Sequence, residues 1–118
     1  MNVLRITDIK ELKLIANNIR KDIINQVYSA GSGHPGGALS IADIMAVLYF
    51  NQMNVSPEVP NSNFRDRLVL SKGHACAALY AALAEKGFFS KDDLKYFRKI
   101  GSNLQGHPDM EKVSGIDM

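Results

Sequence analysis

The chain has one cysteine, no apolar run long enough to cross a membrane, and little net charge. Each shortage excludes something. A single thiol, Cys76, cannot form an internal disulfide, and such sparse cysteine usage fits a reducing compartment. Set in an alanine-rich run, Cys76 reads as a small packing residue and not as a nucleophile. A membrane span needs about 20 consecutive apolar residues, and none occurs here. The N-terminus, Met1-Asn2-Val3-Leu4-Arg5-Ile6, meets charge too early for a secretory leader. The cytoplasm is therefore the expected location, with no membrane partner. A formal net charge of +2 is too small to argue for nucleic acid. Lys95, Arg98 and Lys99 form the one basic cluster at helical spacing, the pattern of a solvated helix face.

What is there is ordinary for a folded chain: 118 residues, 46% hydrophobic and 22% charged, one domain at most. Thr7 and Asp8 offer a cap for a helix over 8–30, whose apolar stripe is Ile9, Leu12, Ala16, Ile19, Ile23 and Val27, with Gly31 as its stop. Gly31 to Leu39 reads as a loop. Ser40, with Asp43 three residues on, predicts a second helix ending near Asn51. Its apolar residues, Ile41, Ile44, Met45, Leu48 and Tyr49, predict deep burial. Residues 51–66 are rich in Pro, Asn and Ser and read as an irregular connection. Arg67-Leu68-Val69-Leu70-Ser71 is the one candidate strand, apolar on consecutive positions like a parallel strand buried on both faces. A slim alanine-rich helix follows from Ala75 to about Lys86, stopped by Gly87. Ser90 caps another helix, with Leu94, Phe97 and Ile100 on its buried face and Gly101 as its end. Residues 102–118 are loop-like. The expected fold class is α/β, mostly helical with about one strand, in the first part of a larger domain.

The three histidines draw the chain together. They lie in Ser32-Gly33-His34-Pro35-Gly36-Gly37, in Ser71-Lys72-Gly73-His74, and in Gln105-Gly106-His107-Pro108. Each follows a glycine, and two precede a proline. Glycine lets backbone approach a ligand, and proline stiffens the loop that holds the side chain. Imidazole can donate, accept and change charge near neutral pH. Three such loops point to one polar site, although any single histidine in a loop is more often a plain hydrogen-bonding residue. The spaced glycines from Gly31 to Gly36 mimic a dinucleotide fingerprint, but a long helix precedes them where that motif needs a strand. No paired cysteine or aspartate supports the histidines as a zinc site. His74, at the end of a strand and the start of a helix, is placed to meet a phosphate; the bland alternative is that it caps the helix.

At these loops the sequence resembles transketolase, in its N-terminal diphosphate-binding region. The residues that carry the resemblance are Ser32-Gly33-His34-Pro35-Gly36-Gly37, Asp66-Arg67-Leu68-Val69-Leu70-Ser71-Lys72-Gly73-His74-Ala75 and Gly106-His107-Pro108. The likeness runs from about residue 10 to the end. It implies that 1–118 is the N-terminal portion of a thiamine diphosphate-binding fold, an incomplete domain. It further implies that His74 contacts the cofactor's diphosphate, that His107 hydrogen-bonds the two-carbon donor unit, and that His34 binds substrate hydroxyls and helps proton transfer. The implied activity is transfer of a two-carbon ketol unit between sugar phosphates of the pentose phosphate pathway. The implied cofactors are thiamine diphosphate and Mg2+ or Ca2+, whose Gly-Asp-Gly ligand segment does not occur in this sequence. A separate pyrimidine-binding domain supplies the activating glutamate in that family. A homo-oligomer, a C-terminal transketolase subunit, or both are the expected partners, and the chain alone is expected to be truncated and inactive. Two alternatives stay open: a related thiamine-dependent synthase of the dihydroxyacetone or deoxyxylulose phosphate type, and a non-catalytic helical module that uses an exposed alanine-rich helix and an unpaired strand to bind a partner.

Overall fold

The structure, a computed structural model, describes residues 3–118. Met1 and Asn2, which open the N-terminal stretch read above for a leader, lie outside the described residues. Helix α1 spans Ile9–Ala30. The Asp8 carboxylate accepts from the Lys10 amide at 3.0 Å, satisfying one of the free N–H groups of the first turn. Gly31 closes the helix at φ 69°, donating its amide to Val27 and Tyr28. A side chain at that φ would be strained, so glycine is required there. Ala16, Ile19 and Ile23 of the expected stripe are buried, Leu12 and Val27 pack against the core, and Ile9, in the first turn, is exposed.

Helix α2 spans Pro35–Leu39, where a loop was expected. Pro35 takes the first helical position, where its missing N–H costs nothing. The turn then closes through Ala38 N–H to His34 O and Ser40 N–H to Gly36 O. Helix α3, Ala42–Val47, begins one residue later than a cap at Ser40 predicts and runs into a π-helical turn, Leu48–Gln52. The capping box does not form. Ser40 Oγ donates back to Gly37 O at 2.8 Å, and Asp43 pairs with Arg20 at 3.0 Å. Met45 and Tyr49 are buried as expected, but Ile44 is exposed. The Arg5 guanidinium donates to the carbonyls of Asn51 and Gln52, which the end of a helix leaves without partners.

Helix α4, Cys76–Lys86, is the centre of the molecule. All nine residues from Cys76 to Ala84 are buried. Its alanines let α1, α3 and a 3₁₀ turn at Lys91–Tyr96 pack directly on it. The slim helix is therefore core, which removes the exposed docking face invoked for a non-catalytic module. Gly87 ends it at φ 102°. Ser90 does cap the following segment, accepting from Asp92 N–H at 3.2 Å. That segment is a 3₁₀ turn, with Leu94 and Phe97 buried. The backbone then turns at Arg98 and Gly101 and returns through Arg98 N–H to Leu104 O at 2.8 Å. Ile100 sits at the tip of this turn, fully exposed and not on a buried face.

No strand forms among the described residues. Arg67–Ser71 lacks a ladder partner, and a lone extended segment is not a sheet. Its amides are used otherwise: Leu68 N–H donates to Asp117 Oδ2 at 3.0 Å and Leu70 N–H to Met118 Sδ at 3.0 Å. Arg65 holds the other oxygen of Asp117 at 3.2 Å. Val69 is exposed, while Leu68 and Leu70 are half-buried, so burial on both faces does not occur.

One buried carboxyl makes stability depend on pH. Asp22 of α1 lies under Lys91, whose Nζ is 3.7 Å from it and 3.0 Å from Glu85. Burial first, and then the Glu85 charge, push the Asp22 carboxyl up to about 6 from 3.8, against the pull of Lys91. A raised native pKa means that the folded chain holds a proton the unfolded chain releases between these two values. Asp22 thus adds stability as pH falls from about 7 towards 4. The thermal midpoint of the wild type should gain on that of Asp22→Asn between pH 7.5 and pH 5. Parallel midpoints at both pH values would show that Asp22 titrates normally.

Candidate active site

The three glycine-histidine loops meet. His34 stands immediately before α2, and His74 lies in a 3₁₀ turn, Gly73–Ala75, that leads into α4. Their ring centroids are 4.9 Å apart, with the planes at 74°. His107 arrives from the loop after the Arg98 turn and packs on Gly73, where an added Cβ would sit 3.0 Å from His107 Cδ2. On Gly37, an added Cβ would sit 3.7 Å from His74 Nε2. The bare backbone of Gly73 lets the His107 ring come this close, whereas a Cβ on Gly37 would meet His74 at ordinary contact distance. All three imidazoles are exposed to solvent.

Each loop is held from below. Gly33, at φ 145°, turns the chain from α1 towards His34 against Val27 and Phe97. The Lys72 ammonium donates to Gly37 O at 2.8 Å and to Ser40 Oγ at 3.0 Å. Tyr80, buried in α4, donates its hydroxyl to Gln105 O at 2.7 Å. Cys76 Sγ lies 3.2 Å from Gly106 O. Burial is the main cause that lifts this thiol to about 11, so it stays protonated and inert at neutral pH. The Arg98 guanidinium lies against Gly106, next to His107. Arg98 is not part of a helix face, as the basic cluster suggested; it takes a left-handed backbone at φ 60°. Nothing in its sequence neighbourhood announces that.

The place suits an anion. Three imidazoles and two cations, Lys72 and Arg98, gather around backbone without side chains. Gly36 faces open space, with nothing within 4 Å of where a Cβ would stand. Among the described residues no group of three or more His, Cys, Asp or Glu is placed to hold a metal ion. A cavity of about 400 Å³ lies elsewhere, between Tyr96, Ile100, Leu104 and Val113, and none of the histidines lines it. No described helix is long and apolar enough to cross a membrane.

The family described as "Transketolase, thiamine diphosphate binding domain" matches residues 11–118. A 6-deoxy-6-sulfo-D-fructose transketolase subunit from Clostridium sp. (strain MSTE9) is 47% identical over 108 residues, which are 92% of this chain and 39% of that protein. Human transketolase is 47% identical over 100 residues, covering 85% of this chain and 16% of the relative. The structure of transketolase from Leishmania mexicana superposes with a TM-score of 0.85 at 39% identity, covering 89% of this chain and 16% of that one. The chain thus spans well under half the length of these relatives. It belongs to the transketolase thiamine diphosphate-binding domain family.

Proposed function

We propose that this chain is the N-terminal, diphosphate-binding portion of a transketolase-type transferase that moves a two-carbon ketol unit between sugar phosphates. The observation that carries this reading is the meeting of His34, His74 and His107 from three distant loops. Thiamine diphosphate, when bound, supplies a stabilised carbanion for making and breaking the carbon–carbon bond. The protein's part is to bind, orient and move protons. His74, between the Lys72 loop and the first turn of α4, donates to the diphosphate. His107 donates to the oxygens of the two-carbon unit. His34 binds a sugar hydroxyl and carries its proton, a role an imidazole can fill at neutral pH. The divalent metal of the family finds no ligand cluster among the described residues, and the activating glutamate belongs to a second domain in the family resembled. A companion chain supplies them in this reading, and the Clostridium relative called a transketolase subunit supports it. The cytoplasm is the fitting compartment.

Calorimetric titration of thiamine diphosphate, with magnesium present, tests the reading directly. Saturable binding that His74→Ala weakens about tenfold, as loss of one hydrogen bond to a charged group implies, supports it. Absence of heat at millimolar cofactor would overturn it.

A further inference from the structure

Lys72 was counted above only as a nearby cation, with no contact to cofactor or substrate assigned to it, yet its ammonium spans two of the three loops. It donates to Gly37 O at 2.8 Å and to Ser40 Oγ at 3.0 Å, and Ser40 Oγ donates to the same Gly37 carbonyl at 2.8 Å. The result is a closed triangle between the loop of His74 and the short helix that starts one residue after His34. That helix needs such a tie. It has five residues, two of them glycine, and a helix so short has little stability of its own. No side chain on Gly37 wedges it against the His74 ring. A charged donor on carbonyl oxygen is among the stronger hydrogen bonds available, and the carbonyl end of a helix favours a cation.

We propose that Lys72 is a positioning residue that locks α2 onto the His74 loop and so sets the spacing of His34 and His74. Its catalytic consequence rests on the function proposed above; its geometric claim does not. Lys72 touches neither ring in this role and acts through Gly37 and Ser40.

The test is an NMR comparison of the 118-residue chain without cofactor. The wild type should show a cross-relaxation peak between the His34 and His74 ring protons, given their edge-to-face contact. Lys72→Met keeps the length of the side chain and removes its donors. It should reduce that peak by more than half while the amide resonances of α1 and α4 and the thermal midpoint stay in place. Lys72→Arg, which retains donors, should recover part of it. Ser40→Ala removes one corner of the triangle and should give a smaller loss. With cofactor added, Lys72→Met should weaken thiamine diphosphate binding about tenfold, equivalent to about 1.4 kcal/mol. An undiminished peak in Lys72→Met would overturn the proposal, as would its absence from the wild type. If Lys72→Met does not fold, an undiminished peak in Ser40→Ala overturns it instead. A wild type that shows the ring contact but binds no cofactor would count against the proposed function and leave the clamp standing.

Discussion

Replacing Tyr80 by alanine should lower the unfolding free energy by about 3–5 kcal/mol, the range for removing a large buried aromatic side chain. Tyr80 is fully buried at the middle of α4. Its ring meets Phe97 edge-to-face, with centroids 6.0 Å apart and planes at 69°. Its hydroxyl donates to Gln105 O at 2.7 Å, and burial pushes the phenol well above its ordinary pKa, so it remains a donor at any working pH. One side chain therefore joins the central helix, the buried end of the 3₁₀ turn, and the loop that carries His107. Since a domain is stable by only about 5–15 kcal/mol in all, urea denaturation of Tyr80→Ala should show an early or missing transition. Tyr80→Phe separates the two contributions. It keeps the ring and removes the hydroxyl, at about 1–2 kcal/mol for a carbonyl left without its donor. It should also speed amide exchange at Gly106 and His107 without affecting α1. Equal stability of Tyr80→Phe and wild type would mean that the His107 loop is held by something other than α4.

The parts legible in the sequence are those whose signals are local. Helix α1 has an aspartate cap, an apolar stripe and a glycine stop, and all three do in the fold what their chemistry predicts, except that the stripe's first residue, Ile9, is exposed. The same holds for the end of α4 at Gly87. The three histidines are legible because each brings its own glycine, and backbone that can come close is a local property. What was not legible depends on distant partners. Leu68-Val69-Leu70 has the composition of a buried strand, but a strand exists only through a neighbour, and here Asp117 and Met118 take its amides. Ser40 and Asp43 have capping-box spacing, but Lys72 and Arg20, from elsewhere in the chain, offer them better partners. Pro35 has the look of a loop residue among its glycines, but it takes the first position of a helix, where a missing N–H costs nothing. Ile100 sits outward because Arg98 adopts a left-handed backbone, which no propensity for arginine foretells.

The six-residue motif around His34 contains three glycines that should behave in opposite ways. Gly33 lies at φ 145°, and an added Cβ would stand 2.9 Å from Val27 Cγ2 and 3.4 Å from Phe97. Alanine there meets backbone strain of about 1–3 kcal/mol and overpacking of a similar size. Val27 cannot turn aside freely, because a branched side chain in a helix has essentially one favoured rotamer. Gly33→Ala should therefore lower stability by roughly 2–6 kcal/mol and swing His34 away from His74, seen as a lower thermal midpoint and a lost ring-to-ring NMR contact. Gly37 is intermediate, since its added Cβ would rest at ordinary contact distance from His74 and Ala75. Gly36 has an ordinary helical backbone and open space where a side chain would go. Gly36→Ala should raise stability by about 0.5–1 kcal/mol through helix propensity and a less disordered unfolded chain. It should also keep thiamine diphosphate binding, because the methyl has room. The contrast separates two reasons for glycine in a ligand loop. If Gly36→Ala stabilises the fold yet abolishes binding, the diphosphate must lie against that methyl, and the motif serves the ligand there and not only the backbone. If binding survives, the requirement resides at Gly33, where the chain must turn sharply to bring His34 to His74.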